Sequence, residues 1–284
     1  MDAMSATRGA RAGEGSIDGE QLRAAMRGAL DRGEFRVYYQ PIVGFDPAEV
    51  CGFEALLRWE HPEYGVLAPA QFLAIAEDNG LIVPIGAAVL EAACLQAAQW
   101  ATESVDGRTL TISVNLSARQ LLAHDLLGAV VHALASADLP AELLVLEMSE
   151  AALLEVGPRC TTVLADLSDL GVQLCVDDFG AHHTSLHMLQ ATPLSELKLD
   201  RSFVTRATAS TAPPAMAAAV VAFAHALGIS VTAQGVDSGS EFADVRAIGC
   251  DRGQGRYFAL PQPGAVVQAL VHHRFRWREQ HSAA

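Results

Sequence analysis

Basic residues are scarce in this sequence of 284 residues. Lysine and arginine together number 19, against 33 aspartate and glutamate residues, and the formal net charge is −14 at pH 7. A protein that wraps nucleic acid or lies on an anionic membrane needs a basic surface, so this composition argues against both and against a nucleic-acid polymer as partner. A small anionic ligand is compatible with the charge where cations screen its site.

Paired cysteines and long apolar runs are also absent from the sequence. The five cysteines are odd in number and scattered, and no Cys-x-x-Cys motif occurs. They predict reduced core residues of a cytoplasmic protein in place of a disulfide framework or a zinc site. The longest apolar run, residues 214–228, is too short to span a bilayer, and the N-terminus shows no apolar signal-peptide segment. We therefore expect a cytoplasmic protein without membrane insertion.

Apolar residues are abundant, at 51% of the chain, and they form alternating strand-like and helix-like runs. The strand-like runs lie at about 35–43, 50–59, 109–115, 142–147, 172–177, 195–199, 229–233 and 254–258. The helix-like runs lie at about 18–31, 69–78, 84–101, 118–136, 152–169, 213–227, 239–248 and 263–272. Alternation of this kind predicts parallel βα units, and a barrel of such units takes roughly 250 residues.

The predicted organisation is one α/β barrel with two tails. Residues 1–17 are rich in small residues without a period and predict a disordered tail, residues 18–275 the barrel, and residues 276–284 a C-terminal tail. The turn-forming residues 46–48 between the first two strands predict a hairpin, unlike the start of a regular barrel.

Oxygen-bearing side chains close several of the strand-like runs. Asn115, Glu147 and the pair Asp177-Asp178 each end such a run, and Glu54 lies within another. The C-terminal ends of parallel strands meet at one mouth of a barrel, so we expect these side chains to converge there. Carboxylates and amides are hard donors suited to Mg²⁺ or Mn²⁺. The residues alone also permit turns or helix caps at Asn115 and Asp177-Asp178, and an ion pair between Glu147 and an arginine.

At these positions the sequence resembles the EAL family, bacterial domains that hydrolyse the second messenger cyclic di-GMP. The resemblance runs from about residue 31 to about residue 264 and follows one order of motifs. These are Tyr38-Tyr39-Gln40-Pro41-Ile42-Val43, Gly52-Phe53-Glu54-Ala55-Leu56-Leu57-Arg58-Trp59, Ser113-Val114-Asn115-Leu116-Ser117-Ala118-Arg119-Gln120, Leu146-Glu147-Met148-Ser149-Glu150, Asp177-Asp178-Phe179-Gly180, Leu197-Lys198-Leu199-Asp200-Arg201-Ser202-Phe203-Val204 and Gly253-Gln254-Gly255. The resemblance implies a modified TIM (β/α)8 barrel in which one strand is antiparallel.

The resemblance also implies a reaction and a role for each matched residue. Cyclic di-GMP is opened to linear pGpG at a site that holds two Mg²⁺ or Mn²⁺ ions. The implied metal ligands are Glu54, Asn115, Glu147, Asp177, Asp178 and Gln234; the catalytic residues Glu54 and Lys198; the substrate contacts Gln40, Arg58, Asp200 and Gln254; and the supporting acids Glu150 and Asp237. From the residues alone, Lys198 could equally extend to the surface and Glu150 could simply favour a helix start.

Two departures from the family pattern bear on activity. Gln234-Gly235-Val236-Asp237 stands where the family has E-G-V-E, so Gln234 lacks the charge of the usual ligand for the second ion and should hold that ion weakly. In the loop after Asp178, His182 replaces a glycine, and His182 and His183 are either exposed loop residues or fortuitous metal ligands.

Two functional hypotheses therefore remain open. The first is a metal-dependent cyclic di-GMP phosphodiesterase of reduced activity, because most of the site is intact. The second is an inactive cyclic di-GMP receptor or a protein-interaction module on the same scaffold, with a protein as partner. Members of the family often dimerise, so a homodimer is a further expectation of the resemblance.

Overall fold

The structure is a computed structural model that describes residues 19–103, 109–180, 192–204 and 215–272. Within these ranges the strands are β1 (Phe35–Gly44), β2 (Val50–His61), β3 (Gly65–Leu67), β4 (Thr111–Leu116), β5 (Leu144–Ser149), β6 (Gln173–Phe179), β7 (Glu196–Leu199), β8 (Ser230–Gln234), β9 (Arg252–Gln254) and β10 (Gln262–Pro263). Both expected tails and the loop with His182 and His183 lie outside the described residues.

Eight of the strands close a barrel. The hydrogen-bonded order is β1-β9-β8-β7-β6-β5-β4-β2, and β2 pairs again with β1. The neighbours from β2 through β4 to β9 are parallel, whereas β1 is antiparallel to both β2 and β9. A connection of five residues joins β1 to β2, which allows a hairpin but not a parallel crossover. The predicted modified TIM barrel with one antiparallel strand is confirmed.

Helices surround the barrel. They are α1 (Gly19–Ala29), α2 (Leu73–Asp78), α3 (Ile82–Glu103), α4 (Ala118–Leu121), α5 (Leu126–Ala137), α6 (Glu150–Val156), α7 (Thr161–Asp169), α8 (Ala215–Ala226), α9 (Gly239–Ala247) and α10 (Gly264–His272). Short 3₁₀ turns lie at Pro69–Gln71, Ala141–Leu143 and Gly157–Cys160.

Several predicted element boundaries are wrong. The single helices expected at 118–136 and 152–169 are each two helices, the second pair being divided at Gly157-Pro158, where Gly157 has a φ of +55° and proline lacks an N–H. The strand expected at 254–258 is only the end of β9, because the chain turns at Gly255 to approach the backbone of Val236. The short strand β3, which pairs with β2, was not expected.

Helix α3 is the one helix in the described ranges that is long and apolar enough to cross a membrane, with a mean hydropathy of 1.4 over residues 82–102. In this structure α3 packs against the barrel. Its Trp100 is buried, with ring centroids 4.9 Å from Tyr39 of β1 and 4.6 Å from Phe53 of β2. Trp100 therefore ties the C-terminal part of α3 to the barrel core.

Strand alternation separates the core from the site. Along β4, Ile112, Val114 and Leu116 belong to the apolar core that the helices cover. Ser113 and Asn115 point the other way, because successive side chains of a strand alternate between faces. The interior face of β4 therefore carries polar residues toward the barrel axis, and its outer face carries part of the apolar core.

Candidate functional site

A buried lysine lies at the centre of the barrel. Lys198 on β7 is fully buried, and its Nζ donates to Glu54 Oε2 of β2 at 3.0 Å and to Glu147 Oε2 of β5 at 2.6 Å. The strands β7 and β2 are not neighbours in the sheet, so the contact with Glu54 crosses the barrel interior. The interpretation of Lys198 as a surface lysine is therefore wrong, and Glu147 pairs with a lysine, not with an arginine.

The surrounding carboxylates keep this lysine charged. Burial alone would lower the pKa of Lys198, but Glu147, Glu54 and Asp177 together raise that pKa well above its ordinary value. The side chain is an ammonium at neutral pH. It can donate hydrogen bonds and stabilise negative charge, and it cannot serve as a proton acceptor.

Amide side chains hold Glu54 in its charged form. Asn115 Nδ2 donates to Glu54 Oε1 at 2.7 Å, and Gln254 Nε2 donates to Glu54 Oε2 at 2.7 Å and to Gln40 Oε1 at 3.1 Å. Burial favours the protonated acid, yet Lys198, Gln254 and Asn115 outweigh it and lower the pKa of Glu54. Gln40 in turn donates to the carbonyl of Ala259 at 3.0 Å, so Gln40 and Gln254 are both committed to fixed partners.

At Glu147, unlike at Glu54, burial outweighs the attraction of Lys198 and favours the protonated acid. Its Oε1 is as close to the ammonium as Oε2 but lies off the hydrogen-bonding directions, and within the described residues it accepts no hydrogen bond. Burial, followed by the nearby Glu54 and Asp177 carboxylates, raises the pKa of Glu147 well above its usual value despite Lys198. Glu54 and Glu147 differ because Glu54 receives two amide donors and Glu147 receives none.

An irregular strand end places the adjacent aspartates. The pairing of β6 with β7 shifts between Val176 and Phe179, and Asp178 has a φ of +54°, an uncommon value for a residue other than glycine. Asp177 is buried and Asp178 is exposed, with the Asp178 N–H donating to Asp177 Oδ1 at 2.9 Å. The bulge lets both acids line the same cavity although they are sequence neighbours.

Gln234 lies beside Asp177 but faces it with its amide nitrogen. Gln234 Nε2 donates to Asp177 Oδ1 at 2.6 Å. Burial raises the pKa of Asp177 to about 7, with Glu54 and Asp178 adding to the effect and Lys198 opposing it. The structure thus brings Gln234 and Asp177 together, with Gln234 as the hydrogen-bond donor; their roles as metal ligands stay predictions.

The other predicted residues lie around this cluster. Glu150, in the first turn of α6, is fully buried and accepts the Gly180 N–H at 2.9 Å, directly before the loop that follows Asp178. Asp200 follows β7 and accepts the Ser202 N–H at 2.8 Å. Arg58 lies with its guanidinium 5.6 Å from the centre of the Tyr38 ring. The substrate and support roles of these residues stay predictions.

Asp237 is paired with two arginines. Its Oδ2 lies 2.6 Å from Arg201 Nη2 in an ion pair and accepts a hydrogen bond from Arg256 Nη2 at 2.8 Å. Burial opposes ionisation, but Arg256 and Arg201 lower the pKa of Asp237. Sequence reasoning missed this cluster, because Arg201, Asp237 and Arg256 follow three different strands and meet only in the closed barrel.

A cavity of about 450 Å³ opens beside the cluster at the C-terminal ends of the strands. Glu54, Asn115, Asp177 and Asp178 line its polar side. Leu56, Leu57, Pro69, Leu73, Ile82 and Val89 are among the residues that form its apolar side. A volume of this size and a mixed lining are typical of small-molecule sites.

The donor set fits a hard divalent cation by its chemistry. Three buried carboxylates, from Glu54, Glu147 and Asp177, surround a single ammonium, so their ionised form carries an excess of negative charge. Carboxylate and amide oxygens are the ligands that Mg²⁺ and Mn²⁺ prefer. Over the residues that the structure describes, no three His, Cys, Asp or Glu side chains already form a metal-binding group, and Lys198 lies between Glu54 and Glu147.

Comparison with known proteins gives the relatives of this chain. A family model described as the EAL domain matches residues 23–261. Rv1357c, an uncharacterized protein of Mycobacterium tuberculosis, is 41% identical over 246 residues, which cover 85% of this chain and 80% of that protein. The bifunctional diguanylate cyclase/cyclic di-GMP phosphodiesterase MucR of Pseudomonas aeruginosa is 37% identical over 253 residues, 88% of this chain. The chain spans 36% of MucR and 30% of y4lL from Sinorhizobium fredii, about a third of these relatives.

Solved structures share the fold. The PaMucR phosphodiesterase in complex with c-di-GMP matches with a TM-score of 0.82 and 36% identity, covering 87% of this chain and 99% of that chain. The FimX EAL domain from Pseudomonas aeruginosa bound to c-di-GMP matches with a TM-score of 0.79 and 25% identity, covering 89% of this chain and 99% of that one. From the family match, the identities and the shared barrel, the chain belongs to the EAL domain family.

Proposed function

We propose that this chain is a metal-dependent phosphodiesterase that hydrolyses cyclic di-GMP to linear pGpG, at a rate reduced by Gln234. The observation that carries the proposal is the convergence of Glu54, Glu147 and Lys198 from three strands on one buried point, with Asn115 bonded to Glu54. Burying three such charges is costly and contributes little to stability, which favours a chemical use for the cluster. The activity of the MucR relative and its complex with c-di-GMP support the substrate.

Each side chain has a role that follows from its contacts. Glu54, Asn115, Glu147 and Asp177 would hold one cation, and Asp177, Asp178 and Gln234 would contact a second. Bound divalent cations neutralise phosphate charge and acidify water. Lys198 stays protonated, so it orients the carboxylates and stabilises negative charge on the phosphodiester, without removing a proton.

A second candidate, a receptor that binds cyclic di-GMP without cleaving it, is favoured by one contact. Gln234 offers its amide N–H to Asp177, so the oxygen that a second cation would use is occupied by a hydrogen bond. Loss of one ion would slow hydrolysis far more than ligand binding, since Gln40 and Arg58 lie outside the ligand cluster. Cytoplasmic localisation, expected from the scattered cysteines, and a homodimer, expected from the family resemblance, belong to the proposal.

The decisive experiment measures pGpG formed from cyclic di-GMP in Mn²⁺ and ligand binding by calorimetry in Ca²⁺, a cation with the same preference for oxygen ligands. We expect slow turnover that Glu54→Ala abolishes. The matched control is Glu60→Ala on the same strand, because Glu60 is exposed and pairs with Arg36 at the surface. Binding without pGpG would establish the receptor, and no heat in Ca²⁺ would refute both candidates in favour of a protein-interaction module.

A further inference from the structure

Two arginines share one largely buried carboxylate, that of Asp237, on the side of the mouth opposite the cavity. Arg201 follows β7, Asp237 follows β8 and Arg256 follows β9, and these strands are adjacent in the barrel. The cavity of about 450 Å³ lies instead over the ends of β2, β4, β5 and β6. The arginine pair therefore lies across the barrel axis from the cavity, on the same face as Lys198 and its carboxylates.

The Asp237 carboxylate is turned inward and the guanidinium groups are turned outward. The Asp237 side chain is 11% exposed, whereas those of Arg201 and Arg256 are 53% and 65% exposed. Glu241 Oε2 accepts the Asp237 N–H at 2.7 Å and fixes the loop that carries the carboxylate. Asp237 thus holds the arginines in place without presenting its own oxygens to the solvent.

Each arginine is held by a second contact in addition to its guanidinium contact with Asp237. Asp237 accepts from Arg256 through the backbone N–H at 3.2 Å as well as through Nη2 at 2.8 Å. The aliphatic part of Arg201 lies over Gly235, where a Cβ would come within 3.0 Å of the Arg201 side chain. A donor group that is fixed before binding loses less conformational entropy when a ligand arrives.

The charge of this cluster favours a neutral acceptor edge over a phosphate. The carboxylates of Asp237 and Glu241 lie with the two guanidinium groups and offset their charge. The planar fork of an arginine nevertheless matches two adjacent acceptors, and the O6 and N7 atoms of guanine are the usual pair for it. A cyclic dinucleotide with one base in the cavity has a second guanine to place across the mouth.

We infer that Arg256, with Arg201 beside it, binds the O6/N7 edge of the second guanine of cyclic di-GMP. This inference rests on the proposed function, which supplies the ligand. It assigns base recognition to a cluster that lies outside the metal ligands. Arg256 is thus a specificity residue, and Asp237 is the residue that positions it.

The test compares cyclic di-GMP with its 7-deazaguanine analogue, which lacks the N7 acceptor, by calorimetry in Ca²⁺. In the parent protein the analogue should bind about tenfold more weakly, a difference of about 1.4 kcal/mol. In Arg256→Ala both ligands should bind with the same, weaker affinity, because the donor to N7 is gone. Arg256→Lys should behave like Arg256→Ala, since an ammonium lacks the planar fork. Arg246→Ala on α9 is the matched control, because Arg246 is exposed on the outer helix layer.

Three results would overturn the inference. Equal weakening of both ligands by Arg256→Ala, with the tenfold difference between them retained, would place the contact on phosphate. Full affinity in Arg256→Lys would show that charge alone suffices. Unchanged affinity in Arg256→Ala would remove Arg256 from the site. Each of these leaves the proposed function standing, whereas a parent protein that binds neither ligand would refute the proposed function as well.

Discussion

The exchange Gln234→Glu tests how the second cation is held. In the parent protein Gln234 Nε2 donates to Asp177 Oδ1 at 2.6 Å. A glutamate there replaces this hydrogen bond with a second carboxylate beside Asp177. Two like charges about 4 Å apart repel by about 4 kcal/mol at an effective dielectric constant near 20. Without metal the variant should therefore be less stable, by an amount that uptake of a proton limits to about 1–3 kcal/mol.

A divalent cation should reverse this loss, because it turns the repelling pair into a pair of ligands. In a thermal melt, 1 kcal/mol corresponds to about 2–4 °C for a domain of this size. We expect the melting temperature of Gln234→Glu to start below that of the parent protein and to rise more steeply with Mn²⁺. The rate of pGpG formation should increase at least tenfold, which needs about 1.4 kcal/mol of additional transition-state stabilisation.

The matched control is Gln173→Glu on the same face of the barrel strands but at the opposite end. Gln173 Nε2 donates to the Glu142 carbonyl at 2.6 Å, so this exchange also loses a hydrogen bond and adds a charge, away from the site. It should lower stability without any dependence on Mn²⁺. If Gln234→Glu leaves the rate and the Mn²⁺ response unchanged while Glu54→Ala abolishes turnover, then Gln234 is already a working ligand and the reasoning fails. If Gln234→Glu is as inactive as an inactive parent protein, the receptor is favoured.

Three further predictions follow from single contacts. Lys198→Met removes the ammonium from a buried group of carboxylates, so it should abolish turnover and lower the free energy of unfolding by about 3–5 kcal/mol in a urea titration. A stability equal to that of the parent would contradict the central role of this ion pair. Glu34→Gln should lower the melting temperature near neutral pH by about 2–4 °C, since the hydrogen bond from Arg32 lowers the pKa of Glu34. This stabilisation is present above the ordinary pKa of a glutamate and is lost as pH falls through the lowered pKa of Glu34. The melting temperatures of the parent and the variant should therefore converge in acid. Gly255→Ala places a methyl group against the backbone of Val236 and should destabilise the protein by about 1–3 kcal/mol, which chemical denaturation measures and which an unchanged midpoint would disprove.

The sequence alone determined the elements that local patterns encode. The alternation of apolar runs predicted the barrel, because each helix and strand buries a face whose period is visible in its own residues. The short connection between β1 and β2 predicted the hairpin for the same local reason. The position of Asn115, Glu147 and Asp177 at strand ends predicted that they would meet, since parallel strands end at one mouth. The boundary errors at Gly157 and Gly255 arose where a single turn residue changes the chain direction.

Only the tertiary structure decided how the side chains divide their roles. Lys198 pairs with Glu54 across the barrel, a contact between strands that are not neighbours, and no local pattern specifies such a pair. The same closure brings Arg201 and Arg256 to Asp237. It also gives Glu54 two amide donors, whereas Glu147 receives none from the residues that the structure describes. The sequence shows that Gln234 departs from the family pattern. Its role as a donor to Asp177, however, depends on the side-chain geometry of two different strands. These properties arise from distances across the barrel, which the closed fold sets and the order of residues along one strand does not.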